Sequence, residues 1–283
     1  MSSFSSISIR QRQRQPLVRS VLADLDTPVS AYMKLADDPY SYLFESVHGG
    51  EKWGRYSFIG LPCKERIEIR GQQISRYADD ELLEQFDCDK PLDYVDALHQ
   101  SFEVAENTEL PRFAGGLVGY FGHDTVRYVE PRLAGKAPPD VRGEPDILLL
   151  VSEELLVFDN LAGRIHIVVH HDPEVEGDSL RAEQRLDEIA EGLRGAIPPQ
   201  PESVSETPLE EDDFVSGFTE SQFKAAVAKV KQYILDGDAM QVVLSQRMSI
   251  PFKTPPMALY RARRTLNPSP YLFLVNLGET PVV

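Results

Sequence analysis

Polar and apolar side chains alternate in a stretch late in the sequence that contains Gln241, Ser245 and Arg247. Between Met240 and Ile250 the apolar residues recur with a period close to two, which predicts a β-strand with one dry and one polar face. A polar face inside an apolar segment must meet water, a ligand or a polar network. The stretch therefore fits either the wall of a ligand site or a solvated sheet face.

Two other segments, Leu43–Ser46 and Asn267–Tyr271, each pair a hydrogen-bonding group with an apolar or aromatic side chain. A helix predicted over about residues 256–266 must stop at the second segment, because proline and the residue before it resist helical geometry. Pro270 then places Tyr271 at the start of a strand, which suits core packing or a pocket for a flat apolar ligand. General physical rules do not connect the two segments.

Other candidate sites are weak. The glycines of Ala114–Asp124 match neither the dinucleotide fingerprint nor the P-loop, so we interpret them as close backbone approach within a strand. The histidines form no HExxH pair, and Cys63 and Cys88 lack zinc-site spacing. His166 and His170 would share a strand face, where solvated histidine is ordinary. We predict no metal site among the residues of this chain.

The charge balance argues against one class of partner. The chain has a net charge of -16 and a pI near 4.8. This acidic balance argues against nucleic-acid binding, which requires clustered Lys and Arg. No run of 18 apolar residues occurs, so we expect no membrane span. Two cysteines are too few for a disulfide scaffold, which favours a cytoplasmic location.

Composition divides the chain into segments. Residues 1–16, which are rich in Ser, Arg and Gln and lack acids, predict a disordered leader, with an organellar transit peptide as the alternative. Residues 196–213 mix prolines, serines and acids and predict a linker. We therefore expect one domain over residues 17–195 and a second over residues 214–283.

Short patterns predict several elements. The apolar run Ile147–Val151 predicts a strand, and the turn residues between Leu155–Phe158 and Ile165–Val169 predict a hairpin followed by a helix that includes Leu193. Further along, Thr219 and Gln222 have capping-box spacing before another amphipathic helix, which Gly237 ends. A strand is also predicted over residues 271–277.

Five motifs occur in this order along the chain: Tyr42–Val47, Gly54–Gly60, Gly115–Gly122, Gly237–Arg247 and Asn267–Tyr271. Together they are similar to anthranilate synthase component I. The resemblance runs from about Pro16 to Val283 and implies an α+β fold: an α/β sandwich of two large antiparallel sheets with outer helices, here truncated. The sequence stops at Thr280–Val283, where the family continues, so the resemblance implies an incomplete chorismate-binding domain.

The resemblance also implies an activity. Family members add ammonia to chorismate and eliminate pyruvate, the first step of tryptophan biosynthesis, with Mg²⁺ held by acidic side chains that would lie beyond residue 283. A glutamine amidotransferase subunit, anthranilate synthase component II, supplies the ammonia. Because most of the active site would lie beyond residue 283, we expect this chain to be inactive alone. Two alternatives stay open: a fragment of aminodeoxychorismate synthase component I, and a non-catalytic tryptophan-binding module.

Two sets of site residues follow from the resemblance. Gln241 would line the nucleophile side of the chorismate cavity, where related isochorismate synthases have lysine. Glutamine cannot take a proton at neutral pH, which suits ammonia as the nucleophile. L-Tryptophan inhibits family members by binding between two motifs that this sequence matches. The matching residues are Glu45, Ser46, Pro270, Tyr271 and Leu272, where Leu272 replaces the family's methionine, a near-isosteric change.

Overall fold

The computed structural model describes residues 9, 11–46, 54–105, 110–133, 135–136, 140–199 and 209–283. They belong to two compact units, of which the first contains the chain up to Pro199 together with Pro256–Val283. In sequence, the second unit follows Pro199 and ends at Pro255. Most of the regular structure belongs to the first unit.

The strands of the first unit form an eight-stranded and a five-stranded sheet. In chain order its strands are β1 (Arg12–Leu22), β2 (Ser41–Ser46), β3 (Tyr56–Gly60), β4 (Glu65–Arg70), β5 (Gln73–Ala78), β6 (Glu81–Asp87), β7 (Phe102–Val104), β8 (Gly116–Phe121), β9 (Ile147–Ser152), β10 (Glu154–Asp159), β11 (Arg164–His171), β14 (Tyr271–Asn276) and β15 (Pro281–Val282). The two strands between β11 and β14 in sequence, β12 (Val215–Ser216) and β13 (Met248–Ser249), belong to the second unit. The larger sheet has the order β15-β14-β2-β3-β10-β11-β1-β7, and the smaller has the order β6-β5-β4-β9-β8.

Nearly all neighbouring strands run antiparallel; the short β1–β7 pair is parallel. The helices are α1 (Pro28–Leu35), α2 (Pro91–Ser101), α3 (Val126–Val129), α4 (Asp178–Arg194), α5 (Glu220–Leu235) and α6 (Pro256–Leu266). Three short 3₁₀ turns cover His123–Thr125, Pro131–Leu133 and Glu211–Asp213. Within the described residues, no helix combines the length and the apolar content that crossing a membrane requires.

The two sheets pack face to face. Tyr42 on β2 and Val275 on β14 share a buried apolar cluster with Leu148 and Leu150 on β9, which belongs to the other sheet. The alternate β9 residues, such as Leu149, point to the opposite face and pack against α2. Strand β9 is therefore buried on both faces, which explains why its sequence is a continuous apolar run.

Helices cover the outer faces of the two sheets. Apolar residues of α1, α4 and α6, including Tyr32, Ile189 and Met257, share one cluster with the eight-stranded sheet, whereas Leu98 of α2 packs on the five-stranded sheet. This arrangement confirms the predicted sandwich of two large sheets with helices outside. The β10–β11 hairpin, the helix that follows it, the strand over Ile147–Val151 and the helix before Asn267 are confirmed as well.

Gly119 shows why the glycine-rich run belongs to a strand. It lies in β8 opposite Leu149, and a Cβ atom there would lie 1.9 Å from the carbonyl oxygen of Leu148. No side chain fits at that distance, so glycine permits β8 and β9 to approach each other. The interpretation as close backbone approach is confirmed at this position.

The second unit has little internal packing. Helix α5 begins at Thr219, whose side chain accepts a hydrogen bond from the Gln222 backbone in the predicted capping box. The two strands β12 and β13 pair over two residues each. Among residues 209–255 no side chain is buried, including those on the apolar face of α5.

The strand predicted over Met240–Ile250 is wrong for most of its length. Only Met248–Ser249 form a strand, and the side chains of Met240 and Val243 are 98% and 82% exposed. An alternating pattern needs neighbouring strands to supply the hydrogen bonds, and within the described residues β13 pairs only with the short β12. The dry face predicted from the sequence is therefore not buried here.

Two predicted boundaries differ from the structure. Strand β1 begins at Arg12, so residues 12–16 of the predicted leader are paired with β7 and β11; residues 1–8 and 10 lie outside the described residues. Apart from Pro16, residues 12–16 of this strand are Arg and Gln, so no apolar pattern reveals where the strand begins. Residues 256–283 belong to the first unit rather than to a separate second domain. Most of the predicted linker, residues 200–208, also lies outside the described part.

Candidate functional site

Strands β2 and β14 bring together the two segments that spacing alone did not connect. They pair antiparallel, with Ser46 opposite Tyr271 and Glu45 opposite Leu272. The Ser46 hydroxyl also donates a hydrogen bond to the carbonyl oxygen of Pro270, at 3.2 Å. All five residues of the predicted tryptophan site therefore meet at one end of this strand pair.

One face of the strand pair is aromatic and partly exposed. Ser46 and Tyr271 lie on this face together with the opposed pair Phe44 and Phe273, because residues two apart on a strand share a face. The side chain of Tyr271 is 62% exposed and that of Phe273 is 46% exposed. This face offers rings for stacking a flat apolar ligand, and the Ser46 hydroxyl can both donate and accept hydrogen bonds.

The opposite face holds a buried carboxylate. The Glu45 side chain is 3% exposed and accepts hydrogen bonds from two residues of α6. Tyr260 donates its hydroxyl at 2.8 Å, and Arg264 donates from Nε and Nη2 at 2.7 and 2.8 Å, one to each carboxylate oxygen. The hydrogen bond to Glu45 raises the pKa of Arg264, while burial and the Glu45 charge raise the pKa of Tyr260.

The protein environment of Leu272 is apolar. It is buried in the same cluster as Leu274, Met257 and Tyr260, under helix α6. A small cleft runs along β14, and its walls are Tyr260, Arg263, Tyr271, Leu272, Phe273 and Val283. Arg263 donates a hydrogen bond to the Val283 carbonyl at 2.8 Å and thereby bounds one side of this cleft. The cleft brings apolar and cationic groups together beside the predicted ligand residues.

Gln241 is not part of this strand pair. It lies in the second unit, outside any strand, and its side chain is exposed. Its assignment to the chorismate cavity stays a prediction.

Within the residues that the structure describes, no group of three His, Cys, Asp or Glu side chains is placed to hold a metal ion. His170, which the sequence paired with His166, is buried and donates from its ring to the Ala114 carbonyl at 2.6 Å. The described residues therefore do not fit a magnesium site.

Sequence reasoning missed Tyr260 and Arg264. They are four residues apart on α6, a spacing that places two side chains on one helix face. That signal was present, but nothing in it identified the partner of the pair as Glu45, which lies 219 positions from Arg264. Only the β2–β14 register brings these groups together.

Comparison with known proteins agrees with this architecture. The sequence profile of the family described as chorismate binding enzyme matches residues 42–283. Anthranilate synthase component 1 of Pseudomonas aeruginosa is 51% identical over 271 residues, which are 95% of this chain and 55% of that protein. The protein of the same name from Neisseria gonorrhoeae is 50% identical over 275 residues, with the same two shares.

A solved structure supports the same relationship. The crystal structure of anthranilate synthase component I from Streptococcus pneumoniae superposes with a TM-score of 0.65 at 26% sequence identity, covering 92% of this chain and 55% of that one. The chain spans about half the length of the curated relatives that it matches. Because the family profile matches most of its residues and the sandwich agrees, the chain belongs to the family of chorismate binding enzymes.

Proposed function

We propose that this chain is part of the large subunit of an anthranilate synthase, which adds ammonia to chorismate and eliminates pyruvate to give anthranilate. The single observation that carries this proposal is the 51% identity to a protein named anthranilate synthase component 1, which extends over 95% of the chain. The ammonia would come from glutamine through a glutamine amidotransferase subunit. Gln241 would line the nucleophile side of the chorismate cavity, and Mg²⁺ would be bound outside the described residues.

We further propose that the β2–β14 strand pair binds L-tryptophan as a feedback inhibitor. The aromatic face at Tyr271 and Phe273 suits an indole ring, and the Ser46 hydroxyl lies at the end of that face beside Pro270. Leu272 lines the adjoining cleft. These contacts fit an aromatic amino acid better than chorismate, which carries two carboxylates and would require more cationic partners.

Reconstitution tests the proposed enzyme. We would mix the chain with the part of the Pseudomonas aeruginosa relative that it does not match, then add chorismate, ammonium and Mg²⁺ and follow anthranilate fluorescence. We expect no product from the chain alone and magnesium-dependent anthranilate from the mixture. Absence of anthranilate from the mixture would count against the proposed enzyme, and product from the chain alone would contradict the proposed division of the active site.

Tryptophan inhibition of that mixture tests the proposed regulatory site. Replacing Ser46 by phenylalanine would fill the end of the aromatic face, so we expect tryptophan inhibition to weaken at least about tenfold while uninhibited turnover stays the same. Ser221→Phe, an exposed change in the second unit, is the matched control. Unchanged inhibition in the Ser46 variant would show that the inhibitor binds elsewhere.

A further inference from the structure

Glu45 and Ser46 are neighbours in sequence, but the structure gives them different surroundings. Successive side chains of a strand point to opposite faces of the sheet. Ser46 lies on the aromatic face with Tyr271, whereas Glu45 lies opposite the buried Leu272. A ligand that stacks on the aromatic face therefore meets the serine and not the carboxylate of the preceding residue.

The surroundings of the Glu45 carboxylate are already complete. Both oxygens accept from the planar fork of Arg264, and one also accepts from the buried Tyr260 hydroxyl. A two-pronged arginine contact fixes orientation as well as distance. A ligand ammonium group could reach this carboxylate only by displacing groups that neutralise a buried charge, which is costly.

We propose that Glu45 is a positioning residue of the tryptophan site, and that Arg264 and Tyr260 act with it to fix α6 on the strand pair. This inference rests on the proposed tryptophan site. The carboxylate ties the end of β2 to α6, and β14 follows α6 directly through the segment Asn267–Pro270. The three residues thereby set the distance between Ser46 and Pro270, and the ligand responds to that distance.

The first experiment separates positioning from direct contact. Glu45→Gln, Arg264→Lys, Arg264→Met and Tyr260→Phe would be titrated with tryptophan and with indole-3-propionate, which lacks the ammonium group. All titrations would be done well below each variant's Tm, so that unfolding does not alter the affinities. A positioning role predicts that Glu45→Gln weakens both ligands by the same factor, about tenfold, with Arg264→Lys closer to wild type than Arg264→Met.

A different pattern would overturn the inference. If Glu45→Gln weakened tryptophan tenfold and left indole-3-propionate unchanged, the carboxylate would bind the ligand ammonium directly. If none of the four variants altered either affinity, the cluster would have no role in the site. Ser46→Ala is the reference for a residue that touches the ligand in the proposed site. Its effect on ligand affinity should be the same in wild type and in each of the four variants.

A second experiment keeps this inference distinct from the proposed function. If the wild-type chain bound neither compound, the tryptophan site would fail, but the coupling across the strand–helix contact would still be decided by thermal unfolding. We expect Glu45→Gln combined with Arg264→Met to lower Tm by clearly less than the sum of the single changes, because the double variant leaves no uncompensated charge. The exposed pair Glu191 and Arg194 is the control, and its changes should be additive. Additivity at Glu45 and Arg264 would overturn the coupling.

Discussion

The hydroxyl groups of Tyr42 and Ser152 lie 2.8 Å apart and join the two sheets through a buried hydrogen bond. Tyr42 belongs to β2 of the larger sheet and Ser152 to β9 of the smaller one. Both side chains are excluded from water, and burial raises the pKa of Tyr42. The bond thus gives an otherwise apolar interface a fixed relative position.

Removing the Tyr42 hydroxyl should loosen this interface. Tyr42→Phe keeps the ring but loses the hydrogen bond to Ser152, so we expect the free energy of unfolding to fall by about 1–2 kcal/mol. Urea denaturation followed by tyrosine fluorescence would measure it. Tyr233→Phe, which removes a hydroxyl from an exposed ring, should leave stability unchanged. An equal effect of the two changes would contradict the structural role of the bond.

Gly119 should tolerate no side chain. Alanine there would bring its Cβ atom to within 1.9 Å of the Leu148 carbonyl, so β8 or β9 must shift. We expect a loss of about 2–3 kcal/mol, at the upper end of overpacking costs. Differential scanning calorimetry would record the lower Tm. At Gly217 the nearest atom to a Cβ would be 3.7 Å away, and Gly217→Ala should change Tm little.

Leu272 should accept methionine but not alanine. The side chain is buried in the apolar cluster under α6, and a volume-conserving change there costs under about 1.5 kcal/mol. Leu272→Ala opens a cavity and should cost about 2–5 kcal/mol. Chemical denaturation measures both. The methionine variant should also keep wild-type tryptophan affinity; loss of that affinity without loss of stability would show that the shape of Leu272 itself sets specificity.

His170 should make stability depend on pH in the acidic range. Burial lowers the pKa of its imidazole below the ordinary value of 6.5, so the unfolded chain binds a proton first as the pH falls. The stability that the neutral ring contributes is present above about pH 6.5 and is lost as the pH falls from there towards the lower folded pKa.

The variant His170→Gln should therefore lose less stability between pH 7 and pH 5 than wild type, although it starts from a lower value. Urea titrations at several pH values would show this. His123, whose side chain is 98% exposed, gives the control His123→Gln. If His170→Gln showed the same dependence of stability on pH as His123→Gln and wild type, the assignment would be contradicted.

The sequence predicted the elements of the sandwich better than its boundaries. Helices with caps or proline stops, such as α5 and α6, and the β10–β11 hairpin carry their signals locally, within a few residues. The start of strand β1 was not predicted because its partly buried charged side chains alternate with exposed polar ones in a segment whose composition resembles a leader. The stretch around Gln241 failed for the opposite reason: an alternating pattern was present without long partner strands.

The candidate site shows the same limit. The residues of the strand pair were predicted from motif resemblance, and their proximity follows from the β2–β14 register. The resemblance named Glu45 and Ser46 together, although neighbouring strand residues point to opposite faces, and the register decides which of the two faces carries the aromatic partners. Tyr260 and Arg264 were missed because their contact with Glu45 is a tertiary one that no periodicity encodes.

The pairing of Ser46 with the Pro270 region also constrains how the chain folds during its synthesis. The two residues are 224 positions apart, so a ribosome that adds roughly 5–20 residues per second makes the second on the order of 10–45 s after the first. Throughout that interval the β2 edge that will receive β14 lacks its partner, and nascent chains on neighbouring ribosomes can compete for it. The yield of correctly folded protein would then depend on how well chaperones protect this edge.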